Sequence, residues 1–242
     1  MDRGDVSVTT DELSREFGTT VALDGVDLDL HDPEILGLAG PNGSGKTTLI
    51  RCLLGLLAPT AGTSTINGVA SLELGPEERS QIGFMPQREA VYGDLTAREN
   101  VSFFARLYGL SDRDAAVERA LSFVDLTDRA DERVRNFSGG MIRRVSLACT
   151  VVHDPAVVIL DEPTVGLDPE LRASMWRGFR EWREAGAIVI VSTHYLGEAT
   201  NCDRVLFLRD GRVLALDTPD AFLQATGTDD LEDAFLELLE GQ

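Results

Sequence analysis

Eight consecutive residues combine closely spaced glycines with a lysine and a hydroxyl side chain. They are Gly40-Pro41-Asn42-Gly43-Ser44-Gly45-Lys46-Thr47, and they fit the Gly-x-x-x-x-Gly-Lys-Ser/Thr pattern of a phosphate-binding loop between a strand and a helix. Glycines let backbone N–H groups converge on phosphate oxygens, and the start of the following helix adds partial positive charge. Lys46 would place its ammonium on the β- and γ-phosphates, and Thr47 would offer its hydroxyl to Mg²⁺. The pattern therefore predicts a site for a nucleoside triphosphate.

Lys46 is the only lysine of the chain, and every other basic side chain except histidine is an arginine. A composition so strongly biased against lysine indicates that position 46 needs a compact ammonium charge rather than a planar guanidinium. A chance glycine loop, the alternative for so short a pattern, does not account for this coincidence.

An apolar run over residues 157–160 ends in two adjacent carboxylates, Asp161 and Glu162. The run predicts a strand buried on both faces, and α/β sheets bind ligands at the carboxyl ends of such strands. We expect Asp161 to hold Mg²⁺ and its waters, and Glu162 to act as the general base on an attacking water. Alone, such a pair is more often a solvated turn. Beside a phosphate-binding loop, it favours hydrolysis of the triphosphate.

Further segments resemble the motifs of ABC ATPases, in the family's order and with about its spacing. Asn136-Phe137-Ser138-Gly139-Gly140-Met141 resembles the signature motif, residues 161–169 the Walker B motif and D-loop, Met85-Pro86-Gln87 the Q-loop, and Ser192-Thr193-His194 the switch-histidine loop. Phe17 stands where the family has an aromatic that stacks on adenine, although simple packing explains it nearly as well. Phe137 and Met141 replace the usual leucine and glutamine, while the Ser-Gly-Gly turn is intact.

The resemblance implies a composite site in which two copies of the chain, as a homodimer, close around two ATP molecules. The signature turn of one copy would face the γ-phosphate held by the other. Gln87 would link the Mg²⁺ shell to a helical insertion, His194 would hydrogen-bond the γ-phosphate, and Asp168 would act where the copies meet. The predicted catalytic residues are Lys46, Gln87, Glu162 and His194. The predicted ATP contacts are Phe17, Gly40, Pro41, Asn42, Gly43, Ser44, Gly45, Lys46, Thr47, Thr48, Ser138, Gly139, Gly140 and Asp168, and the predicted Mg²⁺ ligands are Thr47, Gln87 and Asp161.

Strands and helices must alternate along the chain to position these residues. The patterns predict strands over residues 6–9, 21–30, 35–39, 157–160 and 187–192, and helices over residues 46–57, 96–126 and 169–184. Pro59 is expected to end the first helix, and Phe103, Phe104, Leu107 and Tyr108 to form an apolar face. An Asp-Gly pair at residues 210–211 predicts a hairpin.

These elements predict an α/β fold: a P-loop NTPase (ABC ATPase) core with an antiparallel β-subdomain and an inserted helical subdomain. We expect one ABC ATPase domain over residues 1–242. Its nucleotide-binding core, with the β-subdomain, would comprise residues 1–88 and 146–225. Residues 89–145 would form the helical insertion with the signature motif, and residues 226–242 a C-terminal helical tail.

The 22 basic and 41 acidic residues give a net charge of −19, which disfavours electrostatic binding to nucleic acid or anionic lipid. Acidity with almost no lysine indicates a halophile, because a cytosol of high salt screens the repulsion between the acidic side chains. An acidic protein from a GC-rich mesophile is the alternative.

No apolar run approaches the ~20 residues of a membrane span, and residues 1–5 show no secretory signal. We therefore expect a cytoplasmic protein without direct membrane insertion. Cys52, Cys149 and Cys202 form no metal or disulfide motif and are expected to be buried thiols.

Residues 95–100, 141–147, 193–199 and 231–236 resemble the ATP-binding subunits of exporters of drugs, lipids or polysaccharides. The resemblance implies a separately encoded, multi-span ABC permease as partner and a peripheral location on the inner face of the cell membrane. One alternative is a soluble ABC ATPase such as an iron–sulfur assembly factor. Another is an ABC ATPase that acts on DNA or ribosomes, which normally carries coiled coils, paired cassettes or basic patches that this sequence lacks.

Overall fold

The computed structural model describes residues 6–88 and 90–240. In these ranges the strands form two sheets, one antiparallel with the order β2-β1-β4-β5 and one mostly parallel with the order β10-β9-β3-β8-β7-β6. The strands are β1 Val8–Phe17, β2 Thr20–Leu30, β3 Ile35–Ala39, β4 Ala61–Ile66, β5 Val69–Ala70, β6 Ile82–Met85, β7 Val157–Asp161, β8 Ile188–Thr193, β9 Arg204–Arg209 and β10 Arg212–Asp217. Parts of three predictions lie outside the described residues. They are the absence of a secretory signal in residues 1–5, the first residue of the insertion (89) and the end of the tail (241–242).

Eight α-helices lie within the described ranges. They are α1 Lys46–Leu53, α2 Pro76–Arg79, α3 Ala97–Leu107, α4 Arg113–Phe123, α5 Gly139–Val151, α6 Pro169–Glu184, α7 Pro219–Thr226 and α8 Leu231–Glu240. None of the helices in residues 6–88 and 90–240 combines the length and the apolar character that spanning a bilayer requires.

The parallel sheet brings the chemistry-bearing loops to one edge. Strands β3, β8, β7 and β6 run in the same direction, and Ala39 pairs with Thr193 while Asp161 pairs with Ser192. The segments that follow these strands therefore leave from neighbouring positions. Every residue of β3 and β7 is buried, as expected for strands covered on both faces.

A hydrophobic core lies on each face of this sheet, because successive side chains of a strand point to opposite faces. In β3, Ile35 and Ala39 join one core, which contains the insertion helices and α6. Leu36 and Leu38 join the other core, which contains α1 and the antiparallel sheet. Strand β3, which directly precedes the phosphate loop, thus contributes side chains to both cores.

Helix α1 is shorter than predicted: it ends at Leu53 rather than near residue 57, so Pro59 does not end it. Gly55 adopts the left-handed φ of +64°, and a Cβ there would lie 1.9 Å from the Ser71 carbonyl oxygen. Helices often end at a glycine in this left-handed conformation, which is unfavourable for residues with a Cβ. The chain turns at Gly55 because only a glycine can approach the Ser71 backbone so closely.

The predicted apolar face of α3 is wrong for two of its four residues: Phe104 packs against the core and Tyr108 stacks on His153. Phe103 and Leu107 are 42% and 67% exposed, and the helix instead buries Ala97, Val101 and Ala105, together with Asn100. These small residues recur every four positions on one face, which lets α3 pack closely in the insertion. Three other predictions are confirmed: the bounds of β3 and α6, the hairpin between β9 and β10, and the burial of all three cysteines as free thiols.

Candidate functional site

A cavity of about 300 Å³ opens where the phosphate loop meets the ends of β6 and β7. The residues that line it are Ala22, Asn42, Gly43, Gly45, Lys46, Thr47, Thr48, Gln87 and Glu162. Eight of these nine were expected site residues from the sequence, and Ala22 was not. The structure therefore gathers the glycine-rich loop, the Gln87 segment and one of the two carboxylates around a single cavity.

The phosphate loop is held from behind by the β9–β10 hairpin and by β2. A Cβ on Gly40 would lie 2.1 Å from the Leu208 carbonyl oxygen, and one on Gly45 would lie 2.6 Å from that of Ala22. The Gly211 N–H also donates to the Ser44 carbonyl at 3.0 Å. Close backbone packing of this kind explains why the loop needs glycine at these positions. Gly45 also precedes α1, whose first residue is Lys46.

The ammonium of Lys46 is buried and donates hydrogen bonds within the phosphate loop. Its Nζ lies 2.7 Å from the Gly40 carbonyl oxygen and 2.9 Å from that of Pro41. Burial lowers the pKa of Lys46, and the negative charges of Glu162 and Asp161 oppose that shift. The site thus keeps a cation beside two carboxylates at the N-terminus of a helix.

Asp161 joins the phosphate loop to β8. Its Oδ2 accepts a hydrogen bond of 2.9 Å from the Thr47 hydroxyl, and its Oδ1 accepts one of 2.5 Å from Ser192. Within the described residues there is no group of three His, Cys, Asp or Glu side chains suited to a metal ion. Mg²⁺ beside a polyphosphate needs only one or two protein oxygens, because phosphates and waters complete its octahedron. The adjacent oxygens of Thr47 and Asp161 fit that requirement, and Gln87 lines the same cavity as the third predicted ligand.

Both carboxylate oxygens of Glu162 are hydrogen-bonded. Gln87 Nε2 donates to Oε2 at 2.9 Å, and His194 Nδ1 lies 3.1 Å from Oε1. Since an ionised carboxylate only accepts, this second contact requires the proton on Nδ1. The backbone N–H of Glu162 donates to Ser192 Oγ at 2.9 Å. Hydrogen bonds through Ser192 thus join Thr47, Asp161, Glu162, Gln87 and His194 into one network, and Lys46 lies beside it in the phosphate loop.

The other predicted residues do not line this cavity. Ser138 and Asp168 are the N-cap residues of α5 and α6, where their side chains accept from the N–H groups of Met141 and Leu171. Phe17 is 47% exposed at the end of β1, with the guanidinium of Arg15 4.5 Å from its ring centre. Gly139 and Gly140 form the first turn of α5. In one copy of the chain the signature turn, the D-loop aspartate and the aromatic lie outside the cavity.

Two further residues, which the sequence patterns do not predict as site residues, hydrogen-bond to the site. Ser192 hydrogen-bonds to both Asp161 and Glu162, and its signal is that it is a buried polar residue close before His194, at the end of a mostly apolar strand. Arg143 is 8% exposed and donates to the Pro163 carbonyl at 2.6 Å. Nothing in the local pattern distinguishes Arg143 from its neighbour Arg144, because its acceptors lie far away in sequence.

Comparisons with known proteins bear on this site. A sequence model described as ABC transporter matches residues 23–165. The probable multidrug ABC transporter ATP-binding protein YbhF of Escherichia coli (strain K12) is 34% identical over 98% of this chain, which spans 42% of that protein's length. The Nod factor export ATP-binding protein I of Burkholderia lata is 38% identical over 88% of this chain and 71% of its own length.

Two solved structures share the fold. One, described as the ATP-binding subunit of an ABC transporter, superposes with a TM-score of 0.87 at 31% identity, over 96% of this chain and 99% of the other. A dimeric ATP-binding cassette in a post-hydrolysis state with ADP and Pi gives 0.80 at 26% identity, over 87% and 98%. These matches confirm the predicted ABC ATPase fold. Since the family match covers more than half of the sequence, this chain belongs to the ABC transporter family.

Proposed function

We propose that this chain binds Mg-ATP in the cavity described above and hydrolyses it, and that it thereby energises a separate membrane permease of the exporter kind. One observation carries the proposal: the Thr47 hydroxyl contacts the Asp161 carboxylate, while Glu162 lines the same cavity as Lys46. In this proposal, one triphosphate can therefore contact a phosphate-binding lysine (Lys46), a metal-binding pair (Thr47 and Asp161) and a general base (Glu162).

Lys46 and the loop amides bind the phosphates in this proposal. The two carbonyl acceptors of Lys46 are neutral, whereas phosphate oxygens are charged and accept stronger hydrogen bonds from an ammonium. We therefore expect the ammonium to exchange these carbonyls for the β- and γ-phosphates. Thr47, Asp161 and Gln87 would hold Mg²⁺, which when bound neutralises charge on the β- and γ-phosphate oxygens.

Glu162 is the proposed general base. Gln87 and His194 fix the direction of its carboxylate, and an oriented carboxylate can accept the proton of a water that attacks the γ-phosphorus. His194 contacts Glu162 through Nδ1, which leaves Nε2 for the hydrogen bond that we propose with the γ-phosphate.

We propose that two copies complete the site. Ser138, Gly139, Gly140 and Asp168 do not line the cavity of their own chain, so they are available to a second copy. The dimeric relative with ADP and Pi supports this arrangement. Phe17 remains the proposed adenine contact, for which its exposed ring is suited.

The names of the relatives support an exporter, because one is a multidrug and the other a Nod factor export ATP-binding protein. We propose a multi-span ABC permease as partner and a peripheral place on the inner face of the cell membrane. The division into a core (1–88 and 146–225), an insertion (89–145) and a tail (226–242) is likewise proposed. No observation favours the alternative of an iron–sulfur assembly factor.

Glu162→Gln tests the proposed chemistry. Glutamine keeps the shape of the side chain but cannot take a proton, so turnover should fall by about 10²- to 10⁴-fold while Mg-ATP still binds and holds the chain as a dimer. Single-turnover hydrolysis, nucleotide titration and light scattering in multimolar KCl measure these effects. Glu181→Gln, an exposed carboxylate on α6, is the matched control and should behave as the wild type. Normal hydrolysis by Glu162→Gln would rule out Glu162 as the base.

Co-purification tests the proposed partner. The chain, extracted from membranes of its native cells in mild detergent, should elute with a multi-span protein, and Mg-ATP should be hydrolysed by the complex. A stable complex with assembly proteins in the membrane-free fraction would instead support the alternative.

A further inference from the structure

Glu162, the proposed base, has an unfavourable backbone conformation. Its φ is +52°, in the left-handed region that residues with a Cβ rarely occupy. Such a conformation persists only where surrounding contacts determine it. Its carboxylate can be directed into the cavity only while those contacts hold.

Two side chains hold the backbone on either side of Glu162. Ser192 accepts from the Glu162 N–H at 2.9 Å, and Arg143 Nε donates to the carbonyl of the next residue, Pro163, at 2.6 Å. The same guanidinium reaches the Asp161 carbonyl at 3.5 Å and the Gln87 carbonyl at 3.4 Å, two longer contacts. Arg143 therefore touches the backbone before and after Glu162, and also the backbone of Gln87, whose amide binds Glu162.

We propose that Arg143 is a positioning residue for Glu162 and Gln87, a role that rests on the proposed ATPase function. Three of its hydrogen bonds go to backbone carbonyls beside Glu162 and at Gln87, and it does not line the cavity. It would therefore act through the base and not on the nucleotide. The planar guanidinium suits this task because it donates in several fixed directions, whereas an ammonium is a point donor.

Arg143 belongs to α5, the helix that begins at the signature turn. Helix α5 begins directly after Ser138, at the turn proposed to meet the nucleotide of the second copy. Arg143 lies little more than one turn further along the same helix. The backbone on both sides of the base of one site is thus hydrogen-bonded to the helix that presents the signature turn to the other site, so Arg143 links the two proposed sites through the protein.

The test compares Arg143→Met, Arg143→Lys and the control Arg144→Met in steady-state and single-turnover hydrolysis. Met removes every donor while keeping much of the apolar stem; misplacing a catalytic group by about 1 Å can cost about 10²-fold, and we expect a kcat loss of that order. Affinity for the nonhydrolysable analogue AMP-PNP should stay within about threefold, because Lys46 and the loop amides, which bind the phosphates, do not depend on Arg143. Lys should retain the Pro163 bond and lose less activity. Arg144 donates to the Val124 and Asp125 carbonyls and not to the site, so Arg144→Met should keep wild-type turnover.

A double-mutant cycle with Glu162→Gln separates positioning from general structural damage. If Arg143 acts through Glu162, Arg143→Met should cause little further loss in the Glu162→Gln background. An equal loss in both backgrounds, an unchanged kcat in Arg143→Met, or a joint fall in AMP-PNP affinity, turnover and melting temperature would each overturn the proposal. Should Arg143→Met not fold, Arg143→Lys and its own cycle decide by the same criteria. A wild-type chain without Mg-ATPase activity would instead refute the proposed function.

Discussion

Lys46 is the residue on which the nucleotide hypothesis can be examined most directly, because the chain has no other side-chain amine. An amine-reactive acylating reagent can therefore modify Lys46 and the N-terminal amino group alone. Burial lowers the pKa of Lys46, which increases the neutral, nucleophilic fraction at a given pH. We expect saturating Mg-ATP to slow acylation of Lys46 by about tenfold or more, as the phosphates engage the ammonium.

The N-terminal amine provides an internal control in the same sample. Its labelling, measured by peptide mass spectrometry, should not depend on nucleotide. Lys46 labelling that is equally indifferent to Mg-ATP would contradict a phosphate contact.

The sequence could predict Lys46, Thr47, Asp161 and Glu162 because each belongs to a short local pattern. Arg143 and Ser192 could not be predicted in the same way, because their partners are 20 and about 30 residues away and no spacing rule connects them.

At the scale of elements, the packing of α6 against α4 depends on a glycine. A Cβ added to Gly178, in the middle of α6, would lie 2.1 Å from a ring carbon of Phe123, whose ring also packs 4.9 Å from that of Trp182. Alanine favours a helix by about 1 kcal/mol over glycine, but overpacking costs about 1–3 kcal/mol. We expect Gly178→Ala to lower the free energy of unfolding by about 1 kcal/mol, measured by urea titration.

Two variants show whether the clash is the cause. Gly197→Ala places a Cβ where no atom lies within 4 Å and should cost little. Phe123→Leu should remove most of the difference between glycine and alanine at position 178, because the colliding ring atoms are gone. A Gly178→Ala protein as stable as the wild type would show that the ring moves aside without cost.

His153 predicts a pH-dependent link between the insertion and the core. It stacks on Tyr108 with 3.5 Å between ring centres, and its Nε2 contacts the Ile82 carbonyl at 3.1 Å. Burial lowers the pKa of His153 to about 4, against opposing effects of the Ile82 carbonyl and Asp154. The unfolded chain, with a histidine pKa near ~6.5, therefore takes up the proton first as the pH falls. Up to about 3 kcal/mol of stability, full above pH ~6.5, should be lost as the pH falls toward ~4.

The measurement is urea unfolding at several pH values between these limits. His153→Phe keeps an aromatic ring on Tyr108 but cannot titrate, so the free energy of unfolding should depend less on pH than in the wild type. Equal pH slopes for the wild type and His153→Phe would contradict the prediction.

Element bounds differ in how far local sequence determines them. The bounds of β3 and α6 follow from an apolar run and from the Asp168-Pro169 start signal, both local features. The predicted end of α1 and half of the predicted apolar face of α3 are wrong, because each depends on a distant contact. Gly55 turns where it meets the Ser71 backbone, and α3 packs by its alanines although its aromatic residues form the stronger apolar pattern.

At the scale of the whole molecule, the net charge of −19 determines how salt should affect the melting temperature. Like charges on a compact chain repel, and salt reduces this repulsion as the Debye length falls from ~10 Å at 0.1 M to ~3 Å at 1 M. We therefore expect the melting temperature to rise with KCl over this range and beyond, as the halophile hypothesis requires. A melting temperature independent of KCl would favour the acidic mesophile.

Helix α8 allows screening of repulsion to be separated from other effects of salt. Its first turn carries Glu232 and Asp233, where acids favour the helix dipole, and its last turn has no basic residue; Glu237 and Glu240 stand toward its C-terminal end, where acids are unfavourable. Glu237→Gln should raise the melting temperature in 0.1 M KCl by a degree or two, about 0.3–1 kcal/mol, and the gain should fade in molar KCl. Glu232→Gln removes the same net charge but also a favourable dipole contact, so it should give a smaller gain or none. If both variants respond alike at every salt concentration, the position of the charge does not matter and only the total does.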